Sequence, residues 1–291
     1  MKHKMNINCN GIVTSFEIRN VTPTFTVASI GIKDPDTGST TFVDLNNRKN
    51  LKFGKEVMTL SEMKNSMFSQ SGESLNVSVS TFGKDFYDDK WTDKTGAIHN
   101  TTRKRIYIMR HFSKDKDIYG NTFDVLGIVD NMTEDADGNI KVKVGCIVDV
   151  WDKDLHKTVP NIRYISLKLA DGWKIKQGGV WETSDEIPFD VGDEIHVKGD
   201  ILYIPSKRDR YGDSIGEMLD GNFIKRVISV SEPENIDEYN ELKHKSRRKT
   251  STVQKNEQQK PEKTEDEIVE EMNNLENPFT DDDDDDLDFD F

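Results

Sequence analysis

Val191-Gly192-Asp193-Glu194-Ile195-His196-Val197-Lys198-Gly199-Asp200-Ile201 is the stretch on which the reading of the fold turns. Gly192-Asp193 makes a turn, and Ile195 and Val197 then alternate with polar neighbours at the period of a half-buried strand. Gly199 supplies the backbone freedom for that strand to curl. Upstream, Ile140, Val142 and Val144 alternate with Lys141 and Lys143, behind the turn cluster Glu134-Asp135-Ala136-Asp137-Gly138-Asn139. Segments 123–129, 162–169 and 222–230 read as further strands, so residues 116–230 hold about five.

The same pattern runs through residues 1–115. Segments 7–18, 25–32 and 40–45 are β-branched and apolar, with the turn Asp34-Pro35-Asp36-Thr37-Gly38 before the third. Over 55–68, Val57, Met58, Leu60, Met63, Met67 and Phe68 fall at helical spacing and predict one short helix. Leu75, Val77 and Val79 alternate again, and 103–112 closes the unit as a strand. Short strands in two such sets predict an all-β protein of two small five-stranded barrels, 1–115 and 116–230. VGDEIHVKGDI resembles the fourth-strand region of oligonucleotide-binding (OB) folds, in which a Gly-Asp pair opens the strand and a later Gly lets the sheet turn. That resemblance covers 120–230. The first unit fits in strand order but lacks the glycine bend over 74–80. Two unrelated β-domains, or one larger sandwich, are the competing architectures.

Charge divides the chain elsewhere. The 291 residues carry a net charge of −14. Residues 231–291 hold 21 acidic and 8 basic side chains, leaving the body near neutral, and only 12 of those 61 residues are apolar. That is too little to offset the entropy of ordering, so this part reads as a disordered linker, 231–280, and an acidic tip, 281–291. No run of apolar residues is long enough for a spanning helix. MKHKMNINCNG has no apolar stretch of the kind a secretory leader needs. Cys9 and Cys146 lie far apart and suit a reducing compartment, with neither a disulfide nor a zinc site expected. No phosphate-loop, dinucleotide or hydrolase motif occurs. The chain is expected to be cytoplasmic, non-enzymatic and without cofactor.

Within the appendage, Lys243-His244-Lys245 and Arg247-Arg248-Lys249 form a basic cluster, either a flexible phosphate contact or a solvated patch. Thr264-Glu265-Asp266-Glu267 has the form of a capping box for a short helix carrying Ile268, Met272 and Leu275. The tip is Asp281, Asp282, Asp283, Asp284, Asp285, Asp286, Leu287, Asp288, Phe289, Asp290 and Phe291. Six successive aspartates repel one another, and solubility alone does not call for Leu287, Phe289 and Phe291 among them. A ring beside carboxylates suits a partner pocket with an apolar floor and a basic rim. DDDDDDLDFDF resembles the acidic C-terminal tip of bacterial single-stranded DNA-binding proteins, and of phage single-strand binders that end alike. Asp290 stands where the cellular family usually has Pro, so a phage-encoded member is implied. Replication or repair proteins such as a polymerase, helicase or primase are the partners the resemblance implies.

Non-specific single-strand binding needs cations and exposed rings together. Phe82, Phe86, Tyr87 and Trp91 connect the last two strands of the first unit, and Arg103, Arg105, Tyr107 and Arg110 follow on one expected strand. Core packing is the competing reading for Phe82 and Phe86. In the second unit, Tyr203, Lys207, Arg208, Arg210 and Tyr211 occupy the equivalent loop, while Lys141, Lys143, Tyr164 and Lys168 lie on strands. A solvated face, or core for Tyr164, is their alternative. Single-stranded DNA is the leading partner. The rival function is a protein-interaction scaffold or acidic DNA mimic.

Overall fold

Alternation sets the strands. β1 (Lys4–Asn20) buries Met5, Ile7, Cys9 and Val13 and turns Asn6, Asn8 and Thr14 outward. The computed structural model describes residues 3–20, 26–46, 51–67, 75–81, 83–92, 95–135, 138–152, 155–184, 186–205, 207–208, 214–215 and 218–245. After β1 come β2 (Thr26–Lys33), β3 (Thr40–Asn46), β4 (Lys52–Phe53), β5 (Glu56–Val57), the helix α1 (Leu60–Met67), β6 (Asn76–Ser80), β7 (Phe86–Thr92), β8 (Ile98–Lys104) and β9 (Ile108–His111). The second half contains β10 (Gly120–Glu134), β11 (Ile140–Asp152), β12 (Lys157–Gln177), β13 (Val180–Thr183), β14 (Glu194–Ile204), β15 (Lys207–Arg208), β16 (Ser214–Ile215) and β17 (Leu219–Ser231).

The protein is all-β, with tandem OB-like barrels. In the second, β10 pairs β11, β11 pairs β12, β12 pairs β17 in parallel, β17 pairs β14, and β14 returns to β10. This ring of five strands is the OB arrangement, first–second–third–fifth–fourth–first. Gly199 lies at a register shift between β14 and β17, where a Cβ would strike the Phe223 carbonyl. The first barrel repeats the order: β1–β2–β3 on one side and β1–β6–β9 on the other. Among the described residues its closing contact is a single parallel bridge, Asp44 to Arg105. With no glycine in β6 to bend it, this barrel stays partly open. α1 sits between the third and fourth strands of the ring.

The two barrels share one sheet. β1 pairs β10 antiparallel from Lys4↔Leu126 to Asn10↔Gly120, so β9–β6–β1–β10–β14–β17 is a continuous run. Their interiors join in one cluster, with Phe86 and Phe123 ring centroids 5.9 Å apart.

Three local expectations change. The helix expected over 55–68 is shorter, because Thr59 and Glu62 form a capping box: Thr59 N–H donates to Glu62 at 2.8 Å and Glu62 N–H to Thr59 Oγ1 at 3.2 Å. The strand expected over 103–112 breaks in the middle. Arg105 N–H donates to Asp85, Ile106 N–H to Asp44 and Tyr107 N–H to Ser80, so each residue pairs with a different segment. Part of the disordered linker expected over 231–280 is instead helix, residues 236–245. Tyr239, 2 % exposed, packs there on Ile128 and Ile162. The chain divides into two units, Met1–Lys243 and His244–Phe291; of the second, His244 and Lys245 are described. Among the described residues no helix is long and apolar enough to cross a membrane. The capping box at 264–267 and the tip lie outside the described residues.

Candidate nucleic-acid interface

The hairpin β7–β8 connects the fourth and fifth ring strands of the first barrel. Its register puts Tyr87 opposite Arg103 and Trp91 opposite His99, so Tyr87, Asp89 and Trp91 share a face with Arg103, Thr101 and His99. Trp91 is 45 % exposed and stacks on His99, centroids 4.4 Å apart. Arg103 Nε donates to Asp89 at 2.9 Å. The opposite face turns inward only at its Phe86 end. Phe86 is fully buried, so its ring offers no face to a base; core packing is the reading that holds. Lys104, paired across from Phe86, is largely enclosed, and burial lowers its pKa.

This hairpin lies along β12 of the second barrel. Asp88 Oδ2 accepts the Ser166 N–H at 2.8 Å. β12 pairs with β17 only from Lys168 onward, so Asp88 satisfies an edge the second barrel leaves open. Arg163 donates to the Lys84 carbonyl, pairs with Asp85 at 3.4 Å and sits 3.9 Å from the Tyr87 ring centroid. Arg105 is half-buried beside Tyr87 and Tyr107. Burial alone would lower its pKa, but Tyr107, through charge and a hydrogen bond, and Asp85 raise it, so the cation is held. Tyr87, Arg103, Arg105 and Tyr107 are therefore carried on the segment that adjoins β12, the strand of Tyr164 and Lys168.

On the second barrel, Lys141 lies opposite Lys168 and Lys143 opposite Ser166 across β11–β12. Lys143 Nζ lies 4.0 Å over the Tyr164 ring and 3.2 Å from Asp130. Lys141 pairs with Asp135 at 3.2 Å, and Lys168 donates to the Asp220 carbonyl at 2.9 Å. Burial would raise the Asp130 carboxyl, but hydrogen bonds from Lys243, Lys143 and Tyr239 together hold it low. The 236–243 helix closes the rest of this face: Tyr239 occupies the space a side chain at Gly145 would take.

Arg110 is not brought to the interface. Both of its terminal nitrogens donate to Asp117 at 2.6 Å, so it anchors the chain after β9. Tyr203 is 38 % exposed and meets Phe42 edge-on at 6.5 Å. Lys207 and Arg208 lie on the β15–β16 ribbon, in the position equivalent to β7–β8. Phe82, Arg210, Tyr211 and residues 281–291 fall outside the described residues.

Two residues were missed. Phe42, 52 % exposed, is flanked by buried Thr41 and Val43, so period two alone marks it as an outward ring. Arg163 shares the inward phase of Ile165 and Leu167 yet meets Lys84, Asp85 and Tyr87 of the other barrel. No sequence signal says that a hairpin of the other barrel awaits it there.

No protein-family model matches the chain, and no curated protein matches it significantly. Solved structures similar to it include the wild-type single-stranded DNA-binding protein from Thermus aquaticus, at 12% identity and TM-score 0.42, covering 80% of this chain and 94% of that one. A deletion mutant of that protein gives 11% identity and TM-score 0.41 over 80% and 95%. The barrel assignment stands on the strand ladders.

Proposed function

We propose that this protein binds and protects single-stranded DNA with little sequence preference, in replication, recombination and repair. The observation that carries the reading is the seating of the aromatic and basic β7–β8 hairpin of one barrel on the third ring strand of the other. Rings for stacking (Tyr87, Trp91, Tyr164) and cations for phosphate (Arg103, Lys143, Lys168) thereby stand on adjoining elements, the combination non-specific single-strand binding uses. The acidic–apolar segment 281–291 supports recruitment of a polymerase, helicase or primase by a pocket with a basic rim. Its resemblance to single-strand binders of phages supports action in a bacterial host cytoplasm.

One observation favours the rival, a protein-interaction scaffold. Arg103, Lys141 and Lys143 each already hold a carboxylate, so phosphate must displace Asp89, Asp135 and Asp130. Titration with oligo-dT decides. Stacking should quench tryptophan fluorescence, and affinity should fall steeply as salt rises. Trp91→Ala should weaken binding by roughly 1–3 kcal/mol. No quenching and no salt-dependent binding at any concentration would leave the scaffold reading standing.

A further inference from the structure

The continuous run β9–β6–β1–β10–β14–β17 has an outer side reached, of the candidate residues above, by Arg110 of β9, which is bound there to Asp117. A groove of about 1040 Å³ crosses it. Its rim carries Lys116, Lys174, Lys225 and Arg226, all exposed. Register explains part of this clustering, since Lys174 and Arg226 are partners in the parallel β12–β17 ladder.

Two of the three acids that line the groove are paired within the protein. Asp117 is held by Arg110. Asp124 is shared among Lys4, His196 and Lys198 at 2.8–3.3 Å. Asp200 is half-buried, and burial raises its pKa; with it charged, the five cations lining the groove still outnumber its three carboxylates. The rim cations therefore dominate the local field.

The floor is polar and hydrogen-bonding rather than apolar: Asn6, Asn8 and Thr122 face it, in register with Asp124, Lys198 and Asp200. Tyr119 stands at its edge, stacked on Phe112 with centroids 4.5 Å apart and planes 8° from parallel. A peptide anchored by apolar side chains finds no floor here. A strand of nucleotides finds cations at phosphate level, amides for sugar and base edges, and a ring pair on which to stack.

We propose that this groove is a second contact surface for the sugar–phosphate backbone of single-stranded nucleic acid, separate from the hairpin interface. The inference rests on the proposed function and extends it to longer strands, which engage both surfaces. The test compares full-length protein with the triple variant Lys116→Gln, Lys174→Gln and Lys225→Gln, all at exposed positions. Each is titrated across a salt series with oligo-dT of roughly 10 and roughly 60 nucleotides, lengths on either side of what two barrels accommodate. Three lost phosphate contacts should lower the slope of log affinity against log salt by about 2 for the long strand, with short-strand binding kept. An unchanged long-strand slope, with the short strand still bound, overturns the groove and leaves the proposed function intact. Failure of the parent protein to bind either oligonucleotide overturns both. Poly-glutamate binding that the triple variant loses, while long-strand binding stays, would make the groove an acidic-peptide site and overturn the inference.

Discussion

Asp117 shows what one side chain does for the chain after β9. It accepts two hydrogen bonds from Arg110 and one from the Ser113 N–H at 2.8 Å. Led by the Arg110 bonds, these hold its carboxyl at about 2, below its usual 3.8. A carboxyl depressed in the folded state contributes stability above its unfolded pKa, and that contribution is lost as pH falls through the folded value. Asp117→Asn should therefore lower the urea midpoint at about pH 7, and its deficit against the parent should fade between about pH 4 and pH 2. A deficit that persists in acid would assign the loss to packing instead. Gly145 makes a different kind of contribution, since its missing Cβ is the seat of the Tyr239 ring. Gly145→Ala should cost roughly 1–3 kcal/mol through overpacking. Faster hydrogen exchange over 236–243 would locate the damage in the helix; unchanged exchange there would place it elsewhere.

Among the elements, the β7–β8 hairpin bridges the barrels, and Asp88 is its fastening. Asp88→Ala strips the Ser166 N–H of its acceptor and, because water can reach this exposed N–H, should destabilise by only roughly 0.5–1.5 kcal/mol, the net worth of one hydrogen bond. It should also loosen single-strand binding; unaltered affinity would show that hairpin placement is irrelevant to the site. This hairpin was the least legible part of the fold. Phe-Tyr-Asp-Asp-Lys-Trp-Thr has the composition of a loop, and its strand character comes from cross-strand partners such as Arg103–Asp89 and Trp91–His99, which appear only once register is known. By contrast β11 and β14 were legible, because Val142, Val144, Ile195 and Val197 recur at period two in charged surroundings. Arg110 read as a phosphate contact because nothing in the sequence ties it to Asp117 seven residues on. The helix over 236–245 hid among charges, its apolar signal confined to Ile236, Tyr239 and Leu242. Cations were easy to find at the candidate site; their partners were not, and partners decide which cations are available.

Over the whole molecule, a near-neutral body is joined to a segment, 281–291, with eight aspartates. Polyanion repels polyanion, so deleting 281–291 should tighten single-strand binding, most at low salt, where screening is least. Equal affinity at every salt concentration would confine that segment to protein recruitment. The body also depends on the β1–β10 ladder. Either barrel produced alone would bare a strand edge from 4 to 10 or from 120 to 126, and bare edges seek partners. Each isolated half should self-associate in sedimentation, whereas the intact chain carries the matching edge within itself. Monomeric halves would mean that these edges are protected in some other way.

The same ladder has a consequence for direction. It pairs the corresponding first strands of two barrels antiparallel, which relates them by an approximate twofold axis. Two identical barrels placed so would treat a nucleic-acid strand and its reverse alike. Here one half presents a long hairpin with Trp91, and the other presents the short β15–β16 ribbon and a face partly roofed by Tyr239. In the proposed complex, a strand crossing from one half to the other would meet different chemistry at its 5′ and 3′ ends, and the protein would become an arrow on the DNA with a leading and a trailing side.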